Sequence, residues 1–197
     1  MLVRMMSRSM YHDDEGCMQN KDFDKFVARQ QGTSLDTNID WAGMRDEWLR
    51  NLDSLYREIV GFLREYIDAG SISYSFSDME LIEENIGKYL AKRMDIKIGR
   101  QLVSLVPVGT LLVGSKGRVD AVGSTGSALI LLLDKRAKSA ADLIQVRVSI
   151  KGSPPPLAPR KELISWAWKI VVKAAKSRFV DLEKESFLAL LMEIANA

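Results

Sequence analysis

Apolar residues recur every three or four positions from Asp40 to Ala69, where Trp41, Met44, Trp48, Leu52, Leu55, Ile59, Phe62, Leu63 and Tyr66 are separated by charged residues. That period lays one apolar stripe along a helix. Asn38 or Asp40 offers a side-chain oxygen to cap its start, and Gly70 supplies the left-handed residue that ends it. Beyond Gly70 the period shortens to two. Ile72 to Phe76 alternates apolar and polar, and Met94, Ile96 and Ile98 alternate with Asp95 and Lys97 before a turn at Gly99-Arg100 that leads into Gln101 to Val106. Between them, Met79, Leu81, Ile86 and Tyr89 fit a short helix plus a strand or two strands, and the alternation that follows favours strands.

From Pro107 to Asp134 short aliphatic runs are cut by glycine pairs: Val108 to Val113, Arg118 to Val122 and Ala128 to Leu133. Glycine enters positive φ without a Cβ clash, so these read as consecutive strands joined by tight turns. Connections this short leave no room for helical crossovers, which makes the order antiparallel. Leu143 to Ile150 predicts a further strand with one wholly aliphatic face. The segment 152 to 159, GSPPPLAP, predicts a break, because proline donates nothing to a ladder. Trp166, Trp168, Ile170 and Val172 alternate with Ala167, Lys169, Val171 and Lys173 as in a strand, and Glu183 to Ala195 closes the chain with one apolar helical face. The expected fold class is α+β: a single domain with an N-terminal amphipathic helix, an antiparallel β-meander of about seven to nine strands, and a C-terminal helix.

Length and composition agree with one domain, since 197 residues at 47% hydrophobic content can build one core without disulfides or metals. Residues 1–38 hold five methionines and a DDE cluster but few large apolar side chains, so they predict a mobile or loosely docked arm ahead of a domain at 39–197. No apolar run approaches the roughly 18 to 20 residues that cross a bilayer, so no membrane partner is expected. The first residues lack the apolar core of a secretory signal, and cytoplasm is the expected location. One cysteine, Cys17, and one histidine, His12, exclude an internal disulfide and leave nothing from which to build a Cys/His metal centre or a serine triad.

The net charge of +2 hides a segregation. Lys135 to Arg178 carries eleven basic side chains against Asp142 and Glu162, a net of +9, while seventeen basic against twenty-four acidic residues elsewhere give −7. With Trp166 and Trp168 inside it, the basic third invites a nucleic-acid or protein partner at Lys169, Lys173, Lys176 and Arg178. Both tryptophans share a strand face with Ile170 and Val172, which assigns them to the core and predicts Lys169 and Lys173 on the opposite, solvated face.

Two glycine loops, Gly114-Ser115-Lys116-Gly117 and Gly123-Ser124-Thr125-Gly126, each feed a strand rather than a helix N-terminus, so they read as hairpin turns and not phosphate cradles. Glu83 and Glu84 adjoin, and a strand sends adjacent residues to opposite faces instead of pairing them for acid/base work. The stretch GRVDAVGSTGSALILLLDK at 117–135 resembles the metal-binding hairpin of restriction-endonuclease-like nucleases. That resemblance implies a magnesium ion held by Asp120 and Asp134, with Lys135 orienting the attacking water. In that family one residue separates the acid from the lysine. Here the two adjoin, and alternation turns Asp134 away from Lys135. Without that reading no catalytic residue, metal or cofactor is expected, and the residues fit best a non-catalytic interaction protein acting through its charged surface on a partner or on a second copy of itself.

Overall fold

The computed structural model describes residues 40–110, 114–143, 165–172 and 178–195. The expected arm at 1–38, the proline-rich break, and all but the first residue of the strand expected at Leu143 to Ile150 lie outside the described residues. Helix α1 spans Trp41–Asp68, and the side chain of Asp40 accepts the Gly43 amide at its start. Its buried residues, Trp48, Leu52, Leu55, Tyr56, Ile59 and Leu63, follow the apolar stripe. Gly70, at φ +72°, turns the chain out of the helix.

Seven strands follow: β1 (Ile72–Glu83), β2 (Gly87–Ile98), β3 (Gln101–Gly109), β4 (Ser115–Val122), β5 (Ser127–Asp134), β6 (Trp166–Val172) and β7 (Arg178–Asp181). They form one sheet in chain order, and every neighbouring pair is antiparallel. Helix α2, Lys184–Ala195, ends the described chain. The architecture is therefore the expected α+β domain with helices at both ends of a meander.

Some boundaries differ from the expectation. Ile72 to Phe76 runs on to Glu83 as one long strand, and the run expected at Gln101 to Val106 continues through Val108 to Gly109 as β3, whose register shifts between Pro107 and Gly109, while residues 111–113 of the run expected at Val108 to Val113 lie outside the described residues. Proline there lacks an amide for the ladder, and a bulge absorbs the irregularity. Leu143 itself ends a 3₁₀ turn, Ala140–Leu143.

Along the β1–β2 ribbon the buried set changes parity. Ile72, Met94 and Ile96 are buried at one end and Leu81, Glu83, Tyr89 and Ala91 at the other, although pairing from Ile72↔Ile98 to Glu83↔Gly87 is unbroken. Twist of the ribbon, rather than an inserted residue, exchanges its faces. The main core joins α1 and α2 to the inward residues of β1 through β6, with Trp48 against Trp168 at 6.2 Å and Phe62 against Phe187 at 6.2 Å. A smaller cluster, Leu133, Ala137 and Phe179 with Leu131, Leu143 and Val171, lies apart from it.

The loop Gly123 to Gly126 is a hairpin turn, closed by the Gly123 amide on the Gly126 carbonyl. Its donors meet the end of α2: the Thr125 amide and hydroxyl bond the Ile194 carbonyl at 3.0 and 2.8 Å, and the Ser124 hydroxyl bonds the Ala195 carbonyl at 3.1 Å. Carbonyls at a helix C-terminus have no partner within the helix, so this turn acts as an external cap.

Candidate functional site

Asp120 and Asp134 are not brought together. Asp120 takes two hydrogen bonds from the Arg118 guanidinium, at 2.6 and 2.8 Å, and stands opposite Leu129. Asp134 lies five residues further along β5, about 16 Å at the ordinary strand rise. It accepts from the Arg136 amide and guanidinium, and these bonds hold its carboxyl below the usual carboxylate range. Lys135 follows the strand end, exposed in the turn. No group of three or more His, Cys, Asp or Glu side chains able to hold a metal occurs among the described residues.

Lys169 corrects the expectation of a solvated basic face. It is 2% exposed, and its Nζ donates to Asp181 Oδ1 at 2.5 Å. Cross-strand pairing explains this: Lys169 stands between Leu131 on β5 and Asp181 on β7, and Val171 lies two residues along on the same face. Leu131 and Val171 belong to the smaller apolar cluster, so the sheet has a buried patch on the face that alternation assigned to water. Arg178 is exposed at the start of β7, and Lys173 and Lys176 lie outside the described residues. Trp168 is buried and Trp166 half-buried against the main core, as their strand face requires.

Glu83 and Glu84 do part, Glu83 buried and Glu84 exposed. Glu83 is the acceptor of a buried polar cluster: the Tyr89 hydroxyl donates to one oxygen, and the Thr110 amide and hydroxyl donate to the other at 2.8 and 2.9 Å. Gly109, at φ +142°, lets the backbone pass close, since a Cβ there would stand 2.8 Å from the carboxylate. Burial, then the Glu83 carboxylate, pushes the Tyr89 phenol well above its ordinary value. Trp48 Nε1 approaches Tyr89 closely enough to offset part of that rise but completes no hydrogen bond. Both carboxylate oxygens of Glu83 accept from donors inside the fold, which marks the cluster as architecture.

A groove of about 680 Å³ opens between α1 and the β1–β2 ribbon. Arg50, Arg57 and Arg64 line it at intervals of seven, which brings them to one helical face, and Lys92 of β2 faces them. Asp53 is the one carboxylate in the lining. Arg64 reaches Asp68 at 3.7 Å, whereas Arg50, Arg57 and Lys92 have no carboxylate partner among the described residues. Tyr74 and Phe76 complete the lining, 39% and 43% exposed. Phe76 leans on Tyr56 at 5.4 Å and on Tyr74 at 5.7 Å, edge to face, and Lys92 Nζ lies 6.0 Å from its ring centre. Gly61 leaves the helix side bare at this point.

The interval of seven between the arginines is visible in the sequence. It is masked there by Asp53, which shares the arginine face, and by Glu58 and Glu65 elsewhere on the same helix, which together make its charge pattern look mixed. Comparison with protein families, with curated proteins and with solved structures finds no match to this chain. No helix among the described residues is long and apolar enough to cross a membrane.

Proposed function

We propose that this protein is a non-catalytic docking module of the cytoplasm, and that the groove between α1 and β1 receives an anionic partner. The observation that carries the reading is four cationic side chains and one carboxylate around exposed aromatic rings. Charge of one sign in a cleft attracts an oppositely charged partner and speeds its encounter. The aromatic rings then give that partner a contact salt does not screen. Cytoplasmic location is supported by the single cysteine, which forms no internal disulfide for an oxidising compartment to maintain.

Retention on immobilised heparin tests the reading. The protein elutes well above low-salt buffer, and Arg50→Glu with Arg57→Glu moves elution to low salt without changing the circular dichroism melt. A wild-type protein that flows through at low salt refutes it.

A further inference from the structure

We infer that the anionic partner of the groove is single-stranded nucleic acid, an assignment that rests on the docking reading above. Three features of the groove meet in this ligand. Arg50, Arg57 and Arg64 form a row with about 10 Å between successive residues along the helix axis, which suits a chain of repeating phosphates. Tyr74 and Phe76 leave β1 two residues apart on one side with their rings open to solvent, a place for bases to stack. Gly61 is the third. Glycine is disfavoured against alanine within a helix, yet a Cβ at Gly61 would meet nothing within 4 Å. The fold itself has no use for that space, and it lies in the wall of the groove.

An acidic peptide would satisfy the arginines and leave the open rings without a role. A duplex keeps its bases stacked inside and offers the rings nothing. A flexible single strand supplies phosphates and unstacked bases together.

Fluorescence anisotropy with a labelled oligodeoxythymidine, and in parallel a labelled polyglutamate of similar length, tests the assignment. Four neutralised phosphates give a slope near −3 for log affinity against log salt, so a fourfold rise in salt weakens oligonucleotide binding about fifty-fold. Tyr74→Ala weakens it roughly tenfold with the slope unchanged, because stacking is lost and no cation is. Gly61→Glu, whose Cβ meets open space in the wall of the groove, leaves the fold intact in the melt and abolishes binding. Polyglutamate bound as tightly as the oligonucleotide, or binding indifferent to Tyr74→Ala, overturns the nucleic-acid assignment and leaves anionic docking standing. If neither polyanion binds, both readings fail.

Discussion

Replacing Glu83 by alanine removes the acceptor shared by Tyr89 and Thr110 and strands three donors in the core. The expected cost is about 3 kcal/mol in urea denaturation, since a buried donor left unsatisfied loses its full desolvation energy. Lys169 gives the complementary case. Asp181→Asn should cost about 2 kcal/mol by leaving a buried ammonium without its counter-charge, whereas Lys169→Met, which removes the charge as well, should be close to neutral. Neither residue's role was legible in the sequence. Alternation assigns a face, but whether a face is wet depends on which side chains from β5 and β7 stand beside it, and that is settled by register. The parting of Glu83 from Glu84 was legible, although its cause is the end of β1 at Glu83, with Glu84 in the turn that follows, rather than alternation along a strand.

At the level of elements, α1, α2 and most of the strands follow from periodicity alone, because each buries one stripe or one face. Their boundaries do not. The bulge at Pro107–Gly109 shows only in the pairing of β3 with β4, and the parity change in the β1–β2 ribbon comes from its twist, and local pattern contains neither. Gly61→Ala should stabilise the protein by up to about 1 kcal/mol, read as a higher urea midpoint at unchanged slope, because the new methyl meets open space. Gly123→Ala should do the reverse by about 3 kcal/mol. Its Cβ would overlap the Ile194 carbonyl oxygen and push the hairpin turn off the end of α2.

For the whole molecule, the two buried phenols set an alkaline limit. Burial, then Asp53, raises the Tyr56 pKa, as burial and Glu83 raise that of Tyr89. The unfolded chain therefore loses these protons near pH 10 while the folded one keeps them, so stability falls as pH rises past 10, by about 1.4 kcal/mol per pH unit for each tyrosine. Tyr56→Phe should halve that slope in melts taken between roughly pH 10 and 11. The groove, by contrast, was not legible, because its two walls are separate elements whose approach no single stretch of sequence encodes.

The strictly sequential ladder also bears on how the chain is made. The hairpins from β1 to β5 can close in turn as the chain leaves the ribosome, through loops of a few residues and with fast kinetics, whereas β6 follows only after the long segment between Asp134 and Trp166. Helix α1, synthesised first, must wait: its Trp48 meets Trp168 and its Phe62 meets Phe187 only after more than a hundred further residues have been added. During that interval its greasy stripe is the nascent protein's exposed liability, and a ribosome stalled before β6 would present it to chaperones.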